Sequence, residues 1–186
     1  DVFGEHLGSE LFTCQLELSS IKCSSISQLA DEQRNSREKL KSILDDFNLQ
    51  FVSASTYPSG MLDQVGLVDD AFHLHVIERF SAIGRQLLVN GLHMHVECLS
   101  DCKRVDILKK LSCFLPTFVV LSSSSAFFQS QDTGLQSYRT LLFEGMPISG
   151  MPKGFNTLQE YNELMDDFFK IGFINDAGNI YWHVRL

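Results

Sequence analysis

Three short stretches of this chain alternate strictly between apolar and chemically capable side chains, and no other feature limits the fold as much. In CQLELS, Gln15, Glu17 and Ser19 share one face and Leu16 and Leu18 the other. In NGLHMHVEC, Gly91, His93, His95 and Glu97 oppose Leu92, Met94 and Val96. In IYWHVR, Tyr181, His183 and Arg185 oppose Ile180, Trp182 and Val184. A period of two marks a half-buried strand, because successive side chains leave opposite faces. Such strands suit an α+β fold: an antiparallel sheet with helices packed on its oily face and the other face open to line a site. The open face would gather Glu17, His93, His95, Glu97, His183 and Arg185. A fourth stretch, LQFVSAS from Leu49, is apolar enough to be a central strand.

The helices are set by a different period. Ile26, Leu29, Leu40, Ile43, Leu44 and Phe47 recur at helical spacing from Ser25 to about Asn48. A second amphipathic stretch runs from about Asp69 to Leu88, with Phe72, Val76, Phe80, Ile83 and Leu87 inward. A third starts near Lys103 and should kink or restart at Pro116. The fourth has clear ends: Thr157 and Glu160 form a capping-box pattern, and Gly172 is a stop.

Size and charge remove several classes of function. With 186 residues, 44% of them hydrophobic, the chain can bury a core and reads as one domain over 1–186. Its net charge is -8 and its cations form no stripe, which argues against nucleic acid. The most apolar run, CFLPTFVVLSSSSAFF, is shorter than a membrane span and is interrupted by Pro116 and four serines, so no membrane partner is expected. Five cysteines form no CxxC pair, which fits reduced thiols in a cytoplasmic protein. The opening DVFGEHLG lacks a methionine and the chain stops at YWHVRL, so both ends look cut. A homodimer is left open.

Two motifs carry chemistry. An HxH pair on a strand can place two imidazoles on one metal, with carboxylates from neighbouring strands completing the sphere. The bland alternative is that one or both histidines simply satisfy backbone or side-chain partners at a half-buried surface. The second motif, LSSSSAFFQSQDTGLQSYR, supplies hydroxyls including Ser124, then Gln129, Asp132, Thr133 and Gly134, and closes on Arg139. A loop this rich in donors can cradle an anion, and arginine adds bidentate pairing to carboxylate or phosphate. Its bland alternative is a surface loop with Arg139 in a salt bridge. No GxGxxG, Walker A or GxSxG pattern occurs.

The blocks QLELS, GLHMHVE, LPTFVVLSSSSAFFQSQDTGLQSYR and YWHVR, in this order, resemble the bacterial carboxylate-amine ligases of the glutamate-cysteine ligase type 2 family. The resemblance runs from about Thr13 to the last residue. It implies a glutamine-synthetase-like catalytic domain, present here as its central portion, and an ATP-dependent ligase that activates a carboxylate as an acyl phosphate for capture by an amine. The partners implied are small molecules: ATP, glutamate and an amine such as cysteine. Mg2+ or Mn2+ would be held by Glu17, His93 and His95, nucleotide by Ser124, Gln129, Asp132 and Arg139, with Arg139 and Arg185 acting on phosphate or substrate carboxylate.

The chain departs from that family pattern at several places. Its THP reads Thr56-Tyr57-Pro58, Glu97 replaces a glycine, and His183 and Leu186 stand where an acidic residue and a proline belong. The glutamate-rich opening strand and a VEVR strand are absent from these 186 residues. Two other expectations follow: a degenerate homologue that binds without turnover, and a metal-dependent hydrolase built on His93, His95 and a carboxylate.

Overall fold

Ser25 begins the first long helix by accepting the Gln28 amide on its hydroxyl, which satisfies one of the free donors of the opening turn. That helix, α1, is Ile26–Asp46, and along it Leu40 is buried while the polar middle faces water. The structure is a computed structural model describing residues 3–69 and 71–186, with the side chains of Glu5, 71–75 and Cys102 outside the described set. The second helix, α2 (Ala71–Arg85), buries Ile77; Phe72, expected on its inner face, lies outside the described side chains.

Helix α3 (Asp101–Leu121) runs through Pro116. The expected break is not there. One amide is missing from a 21-residue ladder, and the turns on both sides outweigh it. The serines that follow close the helix: Ser122 and Ser123 return their hydroxyls to the carbonyls of Phe118 and Val119 at 2.7 Å each. A short helix, α4 (Tyr138–Glu144), begins where the serine-rich segment was expected to end as loop, and carries Arg139 in its first turn. Helix α5 (Leu158–Lys170) starts where expected, with Thr157 accepting from the Glu160 amide at 3.1 Å, and Gly172 turns the chain beyond it at φ +68.

The class is α+β, but the strands are distributed among three two-stranded pieces instead of one antiparallel sheet. Strands β1 (Leu7–Ser9) and β2 (Leu16–Leu18) pair antiparallel, with Gly8 opposite Glu17. A hairpin pairs β3 (Phe127–Phe128) with β4 (Gln131–Asp132), and β5 (Ser149–Gly150) lies parallel to β6 (Tyr181–Trp182). The segment 91–98 is not a strand, and neither is the stretch after Leu49. An antiparallel bridge between Thr56 and Val89 brings the end of the 49–55 stretch beside the start of the histidine segment. Beyond Asn90 no backbone partner follows among the described residues, so the alternation at 91–97 has no ladder to sit in.

Two apolar clusters form the core. The larger unites Val105 and Leu108 of α3 with Tyr161 and Met165 of α5 and with Phe155, Ile174 and Ile180. Trp182 and Val184 pack against it, which explains why the last alternating stretch holds its inward face. The smaller contains Leu11, Phe12, Ile77 and Leu88. Helices do not cover the other two oily faces: Leu16 is 51% exposed, and Leu92, Met94 and Val96 are 78%, 69% and 82% exposed. Among the described residues no helix is long and apolar enough to cross a membrane.

Candidate functional site

Asn90 is where the histidine segment leaves the core. Its backbone amide donates to the Ser55 carbonyl at 2.9 Å and its side-chain Nδ2 to the Ala54 carbonyl at 2.7 Å. Its Oδ1 accepts from Nε2 of Gln15 at 2.9 Å, and the same Nε2 donates to the Val89 carbonyl at 2.9 Å. Gln15 is buried, at 7% exposure, and stands two residues before Glu17. Three segments of the chain are thus tied at one point immediately before the charged groups begin.

Past that point His93 comes within electrostatic reach of Glu17, Arg185, Arg139 and His95. Burial is the main influence on its imidazole and lowers its pKa; Glu17 opposes that, while Arg185, Arg139 and His95 reinforce it. His93 keeps solvent on one side, and the partial loss of water on the other acts against the charged ring. The rings of His93 and His95 lie 6.4 Å apart and nearly perpendicular.

Arg139 is the most unusual member. Its backbone amide donates to Oγ of Ser125 at 3.0 Å, and Ser125 is itself 1% exposed. Its guanidinium carbon sits 4.8 Å from the centre of the Phe143 ring, a cation–π arrangement. Burial lowers its pKa from the usual arginine value, and its Nε is buried with no hydrogen-bond partner. It makes no ion pair with any described residue. A half-buried cation with one unpaired N–H is suited to receive an anion from outside.

Arg185 is more firmly committed. Its Nη1 donates to the carbonyls of Gly178, at 3.2 Å, and Ile180, so it braces the turn before β6. Ser124 exchanges a hydrogen bond with the Ser55 hydroxyl at 2.7 Å and accepts the Ser55 amide. Asp132 accepts the Gly134 amide at 2.9 Å and shapes the turn after β4. Gln129 lies at the tip of the β3–β4 hairpin with φ +49, followed by Ser130 at φ +62. The loop expected to cradle an anion is therefore largely occupied with its own turns. Ser125 and the first turn of α4 deliver Arg139.

The positions that differ from the ligase pattern are also occupied. Glu97 pairs with Lys22 at 2.9 Å, both exposed. His183 places Nε2 3.7 Å from Glu144, too far for a hydrogen bond and close enough for attraction when the ring is protonated. The Tyr57 ring packs so tightly over Gly60 that a β-carbon there would overlap it. Among the described residues no three of His, Cys, Asp or Glu are grouped to hold a metal ion. Glu17, His93 and His95 are neighbours electrostatically, without closing a coordination sphere. Gln15, Asn90 and Ser125 were missed as site residues in the sequence. An Asn-Gly pair before the HxH and the shared face of Gln15 and Glu17 were the available signals.

Comparison with known proteins reaches almost the whole chain. A protein from Jannaschia sp. (strain CCS1) named "Putative glutamate--cysteine ligase 2" is 29% identical over 185 residues, covering 100% of this chain and 49% of its own length. One of the same name from Paracoccus denitrificans (strain Pd 1222) is 28% identical over 181 residues, 97% of this chain and 48% of its own. A third, from Arthrobacter sp. (strain FB24), is 30% identical over 180 residues, again 97% of this chain and 47% of its own. The chain spans about half the length of the curated relatives it matches. The model of glutamate-cysteine ligase family 2 matches residues 2–186, a span that includes Glu17, the HxH segment and both arginines. The chain belongs to that family.

Proposed function

We propose that this chain is part of the catalytic domain of an ATP-dependent carboxylate-amine ligase, and that Arg139 receives the phosphate or carboxylate on which the reaction turns. The observation that carries the reading is a half-buried arginine whose Nε is buried without a hydrogen-bond partner and which has no anion of its own among the described residues, held beside His93 and in the same charged group as Glu17 and Arg185. In the reaction proposed, a substrate carboxylate, such as the side-chain carboxylate of glutamate, attacks the terminal phosphate of ATP and ADP leaves. An amine, such as that of cysteine, then displaces phosphate to form the amide. The transferred phosphoryl group spreads charge over its oxygens, so catalysis rests on positioned cations more than on covalent help from the protein. Arg139 offers a planar fork for that charge, and its guanidinium lies over the Phe143 ring.

A divalent ion would neutralise phosphate charge. The described residues do not complete a site for one, so Glu17, His93 and His95 are proposed as partial ligands only, and no step is assigned to the ion. Ser124, Gln129 and Asp132 are proposed to contact nucleotide through the hairpin and its flanks. The family chemistry and the acidic balance favour amino acids and ATP as partners over nucleic acid. Free thiols at Cys14, Cys23, Cys98 and Cys113 favour the cytoplasm.

A second reading, a homologue that binds without turnover, is supported by His183 in place of an acidic residue. One experiment separates them. ATP, magnesium, glutamate and cysteine are supplied together and then with each amino acid omitted, while nucleotide binding is followed by calorimetry and ADP by coupled assay. A ligase releases ADP only with both substrates. Binding without ADP release supports the second reading, and failure to bind ATP or glutamate sinks both.

A further inference from the structure

We infer that Gln15 and Asn90 form a positioning clamp that fixes the spacing between Glu17 and the histidine segment. The clamp deepens the ligase reading, and rests on it for what the spacing serves. Its geometry fixes its direction. Nε2 of Gln15 faces the Val89 carbonyl, so that end of the amide must be the donor; Nδ2 of Asn90 faces the Ala54 carbonyl, so that end must be a donor as well. The contact left between them is Nε2 to Oδ1 at 2.9 Å, and turning either amide would set two acceptors against each other.

The cost of this arrangement is visible. Oε1 of Gln15 is buried with no hydrogen-bond partner, a penalty a side chain chosen for stability alone would avoid. What the penalty maintains is a short path on both sides: two residues from Gln15 to Glu17, and three from Asn90 to His93. No ladder holds 91–97 on its own account, so the register of His93 against Glu17 depends on its start being fixed.

The test uses histidine-labelled chain and NMR. Gln15→Met keeps the length of the side chain and removes its donor; Asn90→Ala removes the other half. Both should shift the ring resonances of His93 while those of His6 stay in place. Ile174→Val, in the larger apolar cluster away from the clamp, provides a variant that loses stability without touching it. Should His93 remain unmoved in both clamp variants, or move as far in Ile174→Val, the clamp has no positioning role. If the clamp variants do not fold, the parent decides: the Gln15 side-chain amide protons should exchange slowly and cross-relax with Asn90, and exchange at the rate of a free amide overturns the inference. Added Mn2+ tests the ligase reading separately. It should broaden His93 in the parent, and need about tenfold more metal in Gln15→Met, the usual cost of losing a partner that orients a ligand. Absence of broadening in the parent removes the metal ligands from the ligase reading, and the resonance shifts still decide the clamp.

Discussion

Gly91 lies beneath Arg139: a β-carbon at that position would stand 3.1 Å from Nη2 of the arginine and 3.2 Å from Nε2 of His93. Both neighbours are ends of flexible side chains, so Gly91→Ala should fold with nearly parental stability. It should nonetheless separate the two groups and weaken ATP binding by about fivefold, a scale consistent with a small misplacement in a charged site. Equal affinity in a calorimetric titration would show that the close approach is not needed.

Arg139→Lys keeps the charge and loses the fork. ATP or glutamate affinity should fall by about tenfold, near 1.4 kcal/mol, with metal dependence little changed. In an active assembly, His93→Ala should do the reverse and raise the metal concentration needed for half-maximal ligation. An unmoved metal curve would return His93 to an ordinary hydrogen-bonding role.

The pH response of His93 has a defined sign. Burial, reinforced by Arg185, Arg139 and His95 and opposed by Glu17, places its folded pKa below the ordinary value. The unfolded chain therefore takes up the proton first as pH falls. The contribution of His93 to stability is present above about pH 6.5 and is lost as the pH drops through that value toward the folded pKa. An NMR titration of the ring should give a midpoint below 6.5, and Arg139→Ala should move it upward; a midpoint above that value contradicts the environment described.

Ser125→Ala removes the acceptor for the Arg139 amide at a site of 1% exposure, and should cost about 1–3 kcal/mol in urea unfolding. Ser122→Ala, at the exposed end of α3, should cost under about 0.5 kcal/mol. Equal losses would mean that Ser125 has no special place among the four serines.

Local signals were readable in the sequence where the chain answers to itself. Thr157 announced its helix because a cap needs only an amide three residues on. The alternation at 180–185 was borne out in its inward face because Trp182 and Val184 have α5 and its neighbours to pack against. The same alternation at 91–97 promised a strand and gave only an irregular segment, since period two states which side chains share a face and not whether another strand runs alongside. Arg139 looked like the end of a loop because the helix that carries it is only seven residues long, about two turns, too short to display a helical period. The Gln15–Asn90 pair spans 75 positions, and no local pattern points across such a gap.

The two apolar clusters have no buried residue in common, and the edge-to-face pair of Phe80 and Tyr181 runs between α2 and β6. Glu17 and His93 follow from the smaller cluster, Arg185 from the larger, and Arg139 rests on Phe143, whose ring meets Tyr181. An anion seated among these groups would join two separately packed regions by mass action, adding RT ln(1 + [L]/Kd) to the free energy of unfolding. The ligand would then serve as mortar as well as cargo, and melting of both clusters would converge on one temperature as its concentration rose.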